Sequence, residues 1–317
     1  MKILNAKNRT VLSVLGGAMM PSMGWACACG CGVFDVGGQS MLPTGAGGMA
    51  FVQYDYQNQN RNWSGTSQAP ASANDDKNIQ TDFTTLGFEY LFNRSWGVEA
   101  ELPYDYRSFT TRTGGTPLAP INTTLKWGAL GDIRIKGVYT GFSADLSSGI
   151  DFGINLPTGD WKHNDAGGDI DRDSEIGTGS TDLLLGGFKR GNLTSDAKWD
   201  WFVQGELDAP VFTQDQYRPG VEFDSDAGLD YKGFALGRVH ISPLAQVIFS
   251  TRTSDTGANA SNPVSSGYER LMLSPGLEFH IHPVKIYADV ELPFWQNFTG
   301  NQLAASALFK INVSFHF

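Results

Sequence analysis

The chain has 317 residues, and its 33 acidic against 23 basic side chains leave a net charge of -10, so no basic stripe exists for phosphates and a nucleic-acid partner is excluded. Glycine is frequent, at 38 residues, and aromatics reach 12%. After the N-terminus no apolar run approaches the roughly 18 residues of a membrane helix, so any bilayer crossing must be made by strands.

The first residues carry an export signature. Lys2, Lys7 and Arg9 form a positive n-region, Val11 to Met20 a short apolar stretch, and Gly24 and Ala26, or Ala26 and Ala28, a small-x-small cleavage site. This predicts a signal peptide over 1–26, with cleavage after 28 as the alternative. Acylation of Cys27 is disfavoured, because Gly24 stands where lipoprotein signals usually carry Leu.

Residues 27–47 form a separate Cys-containing segment. Cys27, Cys29 and Cys31 are an odd count for an oxidising compartment, so one is free, intermolecularly bonded or metal-bound if all survive cleavage. Three close thiolates suit a soft ion such as Cu(I), which makes copper the candidate cofactor, while a strained Cys-x-Cys disulfide is the competing use.

From Met49 the apolar residues recur with period two in runs of about ten, the length of a tilted membrane strand. Strands are predicted near 49–57, 82–92, 96–108, 131–142, 148–157, 179–189, 198–209, 229–237, 244–252, 268–280, 284–295 and 303–317. Gly233 and Gly237 blur the eighth and ninth. Long connections at 58–81, 109–130, 158–178, 210–228 and 253–267 alternate with tight turns such as Asn93-Arg94-Ser95. The expectation is an all-β, transmembrane, antiparallel up-and-down barrel of about 12 strands over 48–317. It would be of the outer-membrane type, facing outer-membrane lipid, with both termini periplasmic.

The faces carry the argument further. Trp96, Val98, Ala100, Leu102, Tyr104 and Tyr106 alternate with Gly97, Glu99, Glu101, Pro103, Asp105 and Arg107, so the first set faces lipid and the second the lumen. By the same parity Asp132, Arg134, Lys136, Glu206, Asp208, Glu278, Lys285, Asp289, Glu291 and Lys310 also point inward, as candidate pore-lining residues. Twelve strands lie between the eight that side chains fill and the sixteen that leave an open channel, so a narrow pore is expected. The charges either orient a passing solute or seal the barrel as salt bridges. Phe309, Ile311, Val313, Phe315 and Phe317 end the chain on one face. A terminal Phe resembles the signal read by the barrel-assembly machinery, a predicted partner.

The motifs Glu99-Ala100-Glu101-Leu102-Pro103-Tyr104, Gly131-Asp132-Ile133-Arg134, Leu156-Pro157-Thr158-Gly159-Asp160, Gly177-Thr178-Gly179-Ser180-Thr181-Asp182, Ser274-Pro275-Gly276-Leu277 and Val290-Glu291-Leu292-Pro293 occur in this order. That order resembles the transporter-like outer-membrane family named for the meta-pathway of phenol degradation. The resemblance spans roughly residues 82–317 and implies a barrel moving small, often aromatic, molecules. It carries no agreed binding residues.

Two further constellations remain. The loop from Asp165 to Glu175 alternates carboxylates but lacks the Gly and Glu of an EF-hand, so it is read as a solvated outer loop. His240-Ile241-Ser242 has the His-x-Ser spacing of outer-membrane lipid hydrolases, yet falls in a turn on the periplasmic side, which argues against an enzyme. The leading expectation is therefore passive passage of a small-molecule solute. The second is a metal- or redox-linked barrel whose Cys-bearing segment binds copper or a periplasmic partner.

Overall fold

A computed structural model describes residues 47–116, 119–165, 168–169 and 171–317; the export signal and the segment with Cys27, Cys29 and Cys31 lie outside the described residues. The strands are β1 (Gly47–Gly65), β2 (Ser67–Gln68), β3 (Asp76–Leu91), β4 (Trp96–Thr116), β5 (Ala119–Leu130), β6 (Ile133–Tyr139), β7 (Ser148–Leu156) and β8 (Asn164–Asp165). They continue with β9 (Gly168–Asp169), β10 (Ser180–Asn192), β11 (Trp199–Thr213), β12 (Glu222–Tyr231), β13 (Phe234–Leu236), β14 (Val239–Arg252), β15 (Tyr268–Ile281) and β16 (Val284–His316).

Among the described residues, eleven strands close one antiparallel barrel, running β1, β3, β4, β6, β7, β10, β11, β12, β14, β15, β16 and back to β1. Outside that ring, β2 pairs with β1, β5 with β4, and β13 with β14. β16 turns back within its 33 residues, so Tyr268 to Ile281 of β15 pair with its first half and Met49 to Gly65 of β1 with its second. Among the described residues no helix is long and apolar enough to cross a membrane.

The wall is apolar outside and polar inside. Leu86, at 52% exposed, and Ile311, at 47%, face outward with Phe152, Leu185 and Val313. Gln57, Thr81, Asn155, Gln246 and Ser274 are buried inside. A soluble protein places these classes the other way round. Here the hydrophobic effect acts between outer face and hydrocarbon, while the interior must satisfy its polar groups by pairing. Aromatic pairs mark both rims: Trp96 with Tyr139 and Trp199 with Tyr231, ring centroids 4.7 and 5.0 Å apart, at the turn end, and Tyr56 with Phe309 toward the loop end. The chain termini of the barrel meet at the turn end, where Gly48 N donates to Phe317 O (2.8 Å) and Phe317 N to Gly48 O (2.9 Å).

Three features differ from the expectation. Residues 109–130 are not a loop: β4 runs to Thr116 and β5 pairs with it from Ala119 to Leu130, extending the hairpin beyond the apolar band. The eighth strand lies at 222–231 instead of 229–237, because Asp224, Asp226 and Asp230 point inward and their charge resembles a loop in sequence. The connection between β7 and β10 is not a solvated loop. Its residues Ser174 and Glu175 are buried, for reasons given below.

Candidate functional site

Inward parity brings charges from non-neighbouring strands together in the lumen. β4 and β6 pair Glu99 opposite Lys136 and Glu101 opposite Arg134. Lys136 Nζ lies 3.2 Å from Glu99 and 3.2 Å from Glu206, which crosses from β11. Arg134 lies 4.0 Å from Glu101 and is bonded to Glu206 through Nη2. Five of the sequence-selected residues thus form one network across the barrel. Fully desolvated charges of this kind are tolerated only when paired and hydrogen-bonded.

A second network occupies the opposite wall. Lys310 Nζ, 1% exposed, lies 4.0 Å from Asp55 and 3.9 Å from Glu291. Asp289 accepts from Ser274 Oγ (2.5 Å) and Tyr287 OH (2.6 Å). Glu278 and Lys285 sit nearer the turn end, 3.8 Å apart. Asp105, Arg107, Asp132 and Asp208 belong to neither network and instead line a chamber of about 240 Å³ toward the loop end.

The chamber is roofed by the connection between β7 and β10. Asp132, at the break between β5 and β6, accepts from Gly159 N (2.8 Å), Thr178 N (2.7 Å) and Thr178 Oγ1 (2.7 Å), so one carboxylate clasps both ends of that connection. The clasp requires close backbone approach: a Cβ on Gly177 would lie 2.6 Å from the Gly159 carbonyl carbon. This is the physical reason for Leu-Pro-Thr-Gly-Asp on one side and Gly-Thr-Gly-Ser-Thr-Asp on the other. Between the clasped ends the chain dips into the lumen, where Arg107 Nη1 donates to the carbonyls of Ser174 (2.6 Å) and Glu175 (3.1 Å).

Arg172 locks the strap sideways. Its guanidinium lies 4.7 Å from the rings of both Trp161 and Tyr217 and donates to Thr178 O (2.9 Å). Its backbone N donates to Ser261 Oγ (3.1 Å) in the connection after β14. Tyr217 OH in turn donates to Asp255, which also receives Arg252 Nη2 (2.6 Å) and Gly220 N (2.8 Å). Three loop-end connections are therefore cross-tied over the lumen. Sequence reasoning missed Trp161, Arg172, Tyr217 and Asp255. The paired Gly-rich motifs flanking 160–176 were the signal that this connection closes on itself.

Burial pushes the Glu175 carboxyl in the strap up to about 8; the His163 backbone N–H donates to Oε1 and opposes this, and Asp160 reinforces it. At the other end of the barrel, Ser242 Oγ, half-buried, lies 3.4 Å from Nδ1 of the exposed His240. Among the described residues, no three His, Cys, Asp or Glu side chains converge to hold a metal ion.

No family model matches the chain, and no curated protein matches it. Among solved structures, it is similar to an outer-membrane channel from Pseudomonas putida F1, at 10% identity with a TM-score of 0.64, covering 89% of this chain and 100% of that one. The β domain of the Bordetella autotransporter BrkA gives 12% identity and a TM-score of 0.49 over 86% of this chain and 100% of that one. A FadL homologue from Pseudomonas aeruginosa gives 9% identity and 0.43 over 86% and 90%. The likeness to the first is one of fold. With its apolar outer band and polar interior, the chain has the fold of an outer-membrane β-barrel.

Proposed function

We propose that this protein is a narrow channel in the bacterial outer membrane that passes small solutes passively, with both chain termini on the periplasmic side. We count the two halves of β16 as separate wall strands, and a barrel of that size leaves a small lumen. The observation that carries the reading is the chamber beneath an inward-folded strap. Side chains fill much of this barrel, but the lumen below residues 171–178 keeps about 240 Å³ open. An inward strap narrows a conduit to small molecules without filling it.

The family resemblance implies aromatic or hydrophobic cargo. The carboxylates and guanidinium groups around the chamber favour small polar solutes instead. No catalytic role is proposed, and the His240–Ser242 pair plays no part in passage. Phe317, outward-facing and backbone-paired to Gly48, is the proposed contact for the barrel-assembly machinery. Liposome swelling tests the reading: rates should fall steeply from glycine to disaccharides, and equal exclusion of all solutes would overturn it.

A copper-linked role for Cys27, Cys29 and Cys31 is the second reading. One placement favours it: His280 and His282 have ring centroids 6.5 Å apart, His240 pairs with His280 across β14 and β15, and His316 N donates to Pro283 O, all at the end where residue 47 enters the wall. Copper uptake by the purified protein, lost with Cys29→Ser plus Cys31→Ser, would support it. Unchanged uptake in that variant would reject it.

A further inference from the structure

We infer that the chamber under the strap is a binding site for a small organic cation carrying amine or guanidine groups. The inference rests on reading the lumen as a solute compartment, and it names the class of solute.

Charge balance is the first observation. Among the described residues, nine carboxylic side chains line the chamber against four guanidinium groups. The resident cations are largely committed: Arg134 to Glu206 and Glu101, Arg172 to the strap and its aromatic neighbours, Arg252 to Asp255. The wall is left with more acceptor than donor capacity.

Unused acceptors are the second, independent observation. Asp105 Oδ1, Asn155 Oδ1 and Glu175 Oε2 have no hydrogen-bond partner among the described residues, and their residues are only 6%, 7% and 7% exposed. The orientation of Asn155 is fixed, because its Nδ2 donates to Asp182 Oδ2 (3.0 Å) and a flip would set carbonyl against carboxylate. All three line the chamber, one from β4, one from β7 and one from the strap. Buried acceptors without donors are costly, and the cost is removed by a ligand that supplies N–H groups and positive charge, Glu175 releasing to solvent the proton it keeps in the empty chamber as the cation arrives.

The spread of these acceptors decides between kinds of cation. A metal ion needs several oxygens converging on one point, and no three candidate ligands do so among the described residues. An amine or guanidine presents several N–H donors along its length and can reach acceptors on separate walls. Arginine does this within the barrel already, as Arg134 spans Glu101 and Glu206.

Agmatine, with a guanidinium at one end and an ammonium at the other, is the probe, titrated calorimetrically into the full-length protein purified in detergent. Saturable binding is expected, weaker by about tenfold or more in Asp105→Asn plus Glu175→Gln. Binding should be lost in Asn155→Lys, which places an ammonium in the chamber. Heat-modifiable gel mobility confirms that each variant is folded. Absence of saturable binding, equal binding by a neutral diol of the same length, displacement by equimolar magnesium, or unchanged affinity in both variants would each overturn the inference. Conductance in potassium chloride, recorded on the same preparation without agmatine, separates the two claims. Conductance without agmatine binding rejects the cation site and leaves the channel standing, whereas binding without conductance rejects the channel and upholds the site.

Discussion

Arg107 on β4 donates from Nη1 to the backbone carbonyl of Ser174, 2.6 Å away and 67 residues further along the chain. The same nitrogen reaches the carbonyl of Glu175 at 3.1 Å. A charged donor buried to 2% exposure thus holds main chain from a loop-end connection inside the lumen. The geometry spends a strong donor on holding the strap, and the mouth of the barrel is shaped by that choice.

The network around Lys136 should behave as a unit. Lys136→Met leaves Glu99 and Glu206 desolvated with one cation fewer, and is expected to destabilise the barrel by about 3–5 kcal/mol. Replacing Glu99, Lys136 and Glu206 together with Gln, Met and Gln should recover most of that loss. Urea unfolding in lipid vesicles reads both values. A loss below about 1 kcal/mol in the single variant would mean that the ion pairs contribute little.

Glu175 should make strap closure depend on pH. Burial holds its carboxyl up at about 8, against an ordinary glutamate value of about 4.3 in the unfolded chain. The groups facing it are Asp160 and the His163 backbone in the same connection, Arg172 beside it, and Arg107 from β4. Between the two values the folded state keeps a proton that the unfolded state has lost. Its contribution is therefore fully present below the lower value, falls as pH rises toward about 8, and is flat above. Glu175→Gln should remove this slope. Unfolding of wild type and variant at pH 5, 7 and 9 measures the difference, and identical pH profiles would refute the assignment.

The outer face should reject charge according to depth. Val313 on β16 pairs with Val52 of β1, and both face outward near mid-wall. Val313→Lys is expected to cost about 2–4 kcal/mol in a bilayer, while Val313→Leu should be close to neutral. Unfolding free energies in vesicles provide the comparison. Equal tolerance of Lys and Leu would contradict lipid exposure of this face.

What the sequence made legible was whatever a two-residue period encodes. The face carrying Glu99, Glu101, Asp105 and Arg107 was readable because Val98, Ala100, Leu102 and Tyr104 alternate with it, and lipid permits no charge among them. β5 was not readable: beyond the membrane band neither face meets lipid, so Ile121, Thr123 and Leu125 carry no contrast with their neighbours. The strap was misread for another reason. Asp171, Arg172, Asp173 and Glu175 are as polar as any exposed loop, and the groups that draw them inward, Asp132, Arg107, Tyr217 and Ser261, are distant in sequence. Local polarity cannot distinguish a group solvated by water from one solvated by a lumen.

Single-channel recording in planar bilayers, comparing wild type with Arg107→Ala, tests the channel and its strap together. Wild type should show small, cation-preferring conductance, because an acidic chamber lies beneath a tethered constriction. Removing the Arg107 side chain frees the Ser174 and Glu175 carbonyls, and the conductance should rise about threefold or more with larger fluctuations as the strap leaves the lumen. No conductance in either protein, or a large conductance identical in both, would contradict a narrow channel gated by this strap.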